Sequence, residues 1–184
     1  ILKKGENAAE KINRNMFVKL ELDKTSCYVG EPVIATYKLY TRLKSVSNLT
    51  KNPSLNGFSV IDLQPPGNMN YTIEKLNGRE YNVYLIRRAQ LYPLQPGSLE
   101  LEPVEIENNV QFIKEEYANR NTSLLNDLFS EFADATIPAE GIEIQKVTLK
   151  SKPAIITVKA LPEINVPAMF KGAVGNFSVT AALE

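Results

Sequence analysis

Residues 71–91 read YTIEKLNGREYNVYLIRRAQL, and the pair Asn77-Gly78 inside this stretch decides the fold class. Both residues accept positive φ, which a two-residue hairpin turn requires at its central positions. The flanking runs are therefore expected to be two antiparallel strands. On the second arm Tyr81, Val83 and Leu85 share a face, the period-two signature of a strand with unlike sides.

The same period recurs outward from this hairpin. Val18, Leu20 and Leu22 alternate with Lys19, Glu21 and Asp23, and Val33, Ala35, Tyr37 and Leu39 fall on one face of the next run. Short strands follow around Phe58 and Val60, at residues 99–102 and at 104–106. Turns separate them at Tyr28-Val29-Gly30-Glu31-Pro32, Pro65-Pro66-Gly67 and Gln95-Pro96-Gly97. About seven strands before residue 107, with turns at this spacing and polar outer faces, predict an all-β, immunoglobulin-like antiparallel β-sandwich. No helix-length patterns lie between these strands, which excludes βαβ winding.

The sandwich is expected to span residues 16–160. Residues 1–15 are polar and charged and read as a linker or frayed lead-in. An insertion at 108–140 interrupts the β pattern. Within it Leu124, Leu125, Leu128, Phe129 and Phe132 recur at helical spacing behind Thr122 or Ser123 as N-cap, predicting a short amphipathic helix near 123–133. Strands resume at 142–149 and 154–160. Residues 161–172 read as a proline-bounded linker and 173–184 as the first strand of a truncated following domain. The chain starts at Ile1, and both ends are expected to be boundaries within a longer protein.

Composition narrows the chemistry. Lys plus Arg and Asp plus Glu number 21 each, so no net field draws the chain to nucleic acid or to an anionic membrane. Apolar runs such as residues 154–158 are too short to cross a bilayer, which leaves membrane contact to segments outside this chain. There is no signal-peptide pattern. Cys27 is the single cysteine and His is absent, so no disulfide, Cys-His pair, Ser-His pair or histidine-ligated metal can form within the chain. Glu100 and Glu102 lie on a polar strand face, and Glu115 and Glu116 in the charged part of the insertion. Neither pair is placed across a cleft as glycoside hydrolysis demands. Arg87 and Arg88, adjacent on a strand, point to opposite faces and make no anion clamp. No nucleotide-binding, hydrolase or calcium-loop motif occurs. These features predict a non-enzymatic domain with no catalytic residue, metal or cofactor. Its candidate interface is the insertion face of Leu125, Leu128, Phe129 and Phe132. The simpler role for that face is to cover a sheet edge, and the sharper one is to dock a partner.

Several runs in order are more specific than any one. They are YVGEPV (28–33), TYKLYT (36–41), LNGF (55–58), LNGREY (76–81), LYPLQPG (91–97), VKALP (158–162) and FKGAVGNF (170–177). Together they resemble the second immunoglobulin-like repeat of the BatD, or oxygen-tolerance, family, and the last run is similar to the opening of its next repeat. The resemblance covers residues 16–184. It includes NDLFSEF (126–132), similar to an acidic, Phe-containing segment of that family.

The resemblance implies a longer protein with an export signal, several such repeats and a C-terminal inner-membrane anchor. It implies residence in the periplasm of a Bacteroidetes-like bacterium. Its implied partners are von Willebrand A-type Bat proteins and a MoxR-linked envelope complex. The expected function is a protein-interaction or scaffolding module tied to aerotolerance. A second expectation, carbohydrate binding in a cell-envelope glycan system, would need aromatic platforms. Trp is absent, and Tyr40, Tyr71, Tyr84 and Tyr92 are the outward candidates.

Overall fold

A computed structural model describes residues 1–65, 71–118, 137–178 and 180 of the chain. One sheet is built from β1 (Met16–Leu22), β3 (Val33–Thr41), β7 (Arg79–Pro93) and β5 (Phe58–Gln64), in that order, with β6 (Tyr71–Leu76) also paired to β7. The Asn77-Gly78 turn joins β6 to β7 with φ of 50° and 77°, and Leu76 faces Arg79 across it. This is the hairpin expected from the sequence.

The opposing layer contains β2 (Ser26–Tyr28), β4 (Ser45–Lys51), β8 (Gly97–Leu101), β9 (Glu105–Ile113), β10 (Ile142–Lys150) and β11 (Ala154–Lys159). β9 pairs with β10, and β8 with β11. Lys150 faces Glu105 and Ala154 faces Leu101, so the two pairings keep one register and form the halves of a single long hairpin. Pro103 and Pro153 sit at the break, where neither offers an N–H to the ladder. Ser151 mends it: its N–H donates to the Val104 carbonyl at 3.1 Å, and its Oγ accepts from the Val104 N–H at 3.1 Å. With β2 beside β11 and β4 beside β9, the two layers reproduce the strand order of an immunoglobulin-like sandwich. The hairpin of β8–β9 with β10–β11 corresponds to its F and G strands.

One buried cluster joins the layers. Val33, Ala35, Tyr37, Leu39, Ala89 and Leu91 meet Leu101, Val104, Ile106, Val110, Phe112, Ile156 and Val158. Tyr81 and Val83 share a face as expected, but it is the outer one. Tyr37 faces Arg87 while Lys38 faces Leu85, so Ile86 is an extra residue that returns β7 to the core. Before this bulge, Tyr81 and Val83 join Tyr40, Phe17 and Leu76 in a second cluster. The Phe17 and Tyr40 rings stack at 4.9 Å, with Tyr81 edge-on to Phe17 at 5.5 Å.

Two boundaries differ from the sequence expectation. Residues 1–15 are not frayed: they contain α1 (Ala8–Asn15), capped by the Asn7 side chain on the N–H groups of Ala9 and Glu10, with Ile12 buried. The β ladder continues past residue 108 to Ile113 and resumes at Ile142, so the F–G insertion is shorter than 108–140. Of the strand expected at 173–184, residues 179 and 181–184 lie outside the described residues, and residues 175–178 have no strand pairing among the described residues. The helix expected near 123–133 lies outside the described residues. α2 (Glu115–Ala118) is a single turn at the start of the insertion.

Asn108 is fully buried on β9. Its Oδ1 accepts from Ser47 Oγ at 2.6 Å, and its Nδ2 donates to the Ile106 carbonyl at 2.9 Å. Among the described residues no buried side-chain N or O lacks a partner. Asn108→Ala is expected to cost about 1–3 kcal/mol, because it leaves the Ile106 carbonyl and the half-buried Ser47 hydroxyl without their Asn108 bonds and opens a small cavity in the core. Urea unfolding checks this, and a loss below about 0.5 kcal/mol contradicts it.

Candidate interaction surface

The four residues singled out from the sequence, Leu125, Leu128, Phe129 and Phe132, lie outside the described residues. The base of the insertion that contains them is described in full. β9 and β10 deliver it as a two-stranded stem. The Lys114 N–H donates to the Gly141 carbonyl at 3.0 Å, and Lys114 Nζ donates to the Glu140 carbonyl at 2.8 Å. A 3-10 turn at Ala139–Gly141 leads into β10. Gly141 is required by close approach: a Cβ there would stand 2.6 Å from Cγ of Tyr117. The Tyr117 ring thus lies flush against the returning strand.

The arm formed by residues 1–7 completes the stem. Leu2 forms a parallel bridge with Lys114, donating its N–H to the Ile113 carbonyl at 2.7 Å and accepting from the Glu115 N–H at 3.0 Å. Its side chain is buried with the main core. Glu115 accepts from the Lys4 N–H at 3.1 Å. Sequence reading missed Leu2 and Ile12 because both lie in a stretch dominated by charged and polar residues with no sustained apolar period. It missed Tyr117 and Gly141 because their contact joins two ends of a long insertion.

Elsewhere several ionisable groups have structural partners. Arg87 holds Asp62 through two bonds, Nε–Oδ1 at 2.7 Å and an Nη–Oδ2 contact at 3.2 Å. Glu102 pairs with Lys51 at 3.2 Å. Cys27 is buried in β2, and burial pushes its thiol pKa up, away from the reactive thiolate. Glu31 accepts from the Tyr28 N–H at 2.9 Å and from Lys24 at 2.8 Å, fixing the turn before β3. Among the described residues no group of three His, Cys, Asp or Glu side chains could hold a metal, and no helix is long and apolar enough to cross a membrane.

On the outer face, Lys38 bridges Glu21 at 3.0 Å and Glu74 at 3.1 Å, and Tyr40 donates its hydroxyl to Glu74 at 3.0 Å. Burial pulls the Lys38 ammonium down, but hydrogen bonds to Glu21 and Glu74 outweigh it and raise its pKa to about 12. Burial and the bond to Glu74 raise Tyr40 to about 12, and burial raises Tyr37 to about 12. All three folded values lie above the ordinary 10.0–10.5. Their contribution is therefore complete below about pH 10 and is lost as pH rises through about 12. Tyrosinate absorbance and circular dichroism, followed together, should show part of the tyrosine ionisation arriving with unfolding in that window. Ionisation of all eight tyrosines near pH 10 with the fold intact contradicts it.

The tyrosines do not assemble a broad aromatic platform. Tyr40 is buried, and the Tyr92 hydroxyl is engaged by Gln90 at 2.7 Å. Tyr71 is exposed and lies 5.5 Å from the half-buried Tyr84, with the rings inclined at 47°. A separate apolar groove of about 540 Å³ lies between Tyr28 and the segment from Leu161 to Gly175, where Ile164 and Phe170 contribute exposed surface.

No family model, curated protein or solved structure matches the chain.

Proposed function

We propose that this chain is a non-catalytic protein-interaction module whose docking element is the F–G insertion. In this reading it belongs to a membrane-anchored periplasmic protein of BatD type that acts with von Willebrand A-type partners. The observation that carries the proposal is the stem. The sandwich extends its longest hairpin into the insertion and fastens the base on three sides, with Lys114 to Gly141, Tyr117 against Gly141, and Leu2 bridged to Lys114. A base with ordered ends has less chain left to order on binding, which lowers the entropic cost of docking. The apolar helical pattern at Leu125, Leu128, Phe129 and Phe132 supplies an anchor face of the kind that enters a groove. The motif order that resembles the BatD repeat supplies the partner class.

Co-purification from the native host tests this. The full-length protein is expected to retain von Willebrand A-type membrane proteins, and a version with residues 119–136 replaced by a short Gly-Ser linker is expected to lose them. Equal recovery by both rules out the insertion as the docking element. A second reading, glycan binding, has the exposed Tyr71 beside Tyr84 in its favour. Calorimetric titration with cell-wall oligosaccharides decides it, since Tyr71→Ala should then abolish the heat.

A further inference from the structure

We propose that residues 1–7 form a releasable latch that sets the order of the F–G stem. This inference rests on the reading of the insertion as the docking element and adds its control. The arm joins the stem edge-on at Leu2, as a one-residue parallel bridge with an N–H given to Ile113 and a carbonyl offered to Glu115. The Leu2 side chain is buried, and the Lys4 N–H reaches the Glu115 carboxylate.

From there the chain reverses. Glu6 accepts from the Lys3 N–H at 3.1 Å and pairs with Lys11 of α1 at 2.7 Å, while Gly5 has φ of 79°. Lys11 also donates to the Ile1 carbonyl at 2.6 Å, tying the first residue to the helix. α1 then leads directly into β1, so the arm connects the stem to the edge of the opposite sheet.

The attachment is small beside the sandwich core. One buried apolar side chain and a few backbone bonds hold the arm, and a groove of about 710 Å³ opens between arm and stem beside Lys4, Glu6, Glu116 and Glu143. Segments with so few buried contacts open far more readily than core strands. The bonds they hold shut are nonetheless those at the root of α2. The Glu115 N–H is bound by Leu2, and the next amides, Tyr117 and Ala118, both donate to the Lys114 carbonyl. When the arm leaves, Glu115 loses its backbone partner at the first residue of α2, the turn whose Tyr117 ring packs against Gly141. A protein partner that engages Lys3–Glu6 would thereby loosen the stem at Glu115–Ala118.

Amide hydrogen exchange on the whole chain tests the latch without any partner. Leu2→Asp is expected to speed exchange by about tenfold or more at Lys114, Tyr117, Ala118 and Gly141, with Ala35 and Tyr37 unchanged. Leu2→Ala, a milder change that leaves the fold intact, is expected to move the same amides by a smaller factor. Faster exchange confined to Glu115 and to the arm itself overturns the proposal, because the arm would then only rest on the stem. Co-purification of the same variants separates the two readings. Loosened stem amides with undiminished partner recovery would sustain the latch while removing the insertion as the docking element.

Discussion

Tyr37→Ala is expected to lower the unfolding free energy by about 3–5 kcal/mol and the melting temperature by roughly 10 °C. Tyr37 is fully buried and, with Tyr40, has the largest side chain to be so among the described residues. It stands on β3 in the cluster that joins the two sheets, and its hydroxyl donates to the Glu102 carbonyl at 3.4 Å. That carbonyl lies at the kink between β8 and β9, where the ladder of the opposite layer is broken. The ring therefore fills the interior and the hydroxyl tethers one sheet to the other. Removal leaves a cavity that β3 and β7 cannot close, since they are held by their own pairing across Val33–Thr41. Tyr37→Phe keeps the ring and should lose only about 1 kcal/mol. Urea melts with unchanged slope would measure both. A loss of under 1 kcal/mol for the Ala variant would mean that the two sheets do not share this core.

If the proposed docking holds, Phe129→Asp combined with Phe132→Asp is expected to weaken capture of the proposed von Willebrand A-type partner by about thirtyfold or more, with little change in melting temperature. The two positions fall on one side of a helical repeat with Leu125 and Leu128. If that side enters an apolar groove, each new carboxylate must be desolvated without a cation to meet it. The bland alternative makes the opposite forecast. A helix that only covers the sandwich would lose stability when charged, and partner capture by the folded fraction would persist. Stability and capture measured on one sample separate these outcomes.

The legible parts of the fold were those where one residue type had one physical job. Asn77-Gly78 closes its hairpin because both positions need positive φ, and Val33, Ala35, Tyr37 and Leu39 point inward because their alternation is unbroken. β4 was not legible. Its inward Ser47 is satisfied by a bond to the buried Asn108 rather than by apolar packing, and its Val46 is 66% exposed. The face of Tyr81 and Val83 was read correctly as shared, but only the Ile86 bulge determines which side of the sheet it lies on. The pairing of residue 2 with 114 depends on chain separations that no local pattern records. At the candidate site the sequence offered the apolar helical pattern, and the structure added the two-stranded stem at Lys114 and Gly141 from which the insertion departs.

Site-specific photo-cross-linking in the native host tests the docking claim most directly. A photoreactive residue is placed at position 129, and in separate strains at Glu100 and Lys146, on the polar outer surface of the sandwich. The insertion account predicts adducts with a von Willebrand A-type membrane protein from position 129 and none from the other two. Adducts of equal yield from all three positions, or adducts with glycan alone, would contradict it.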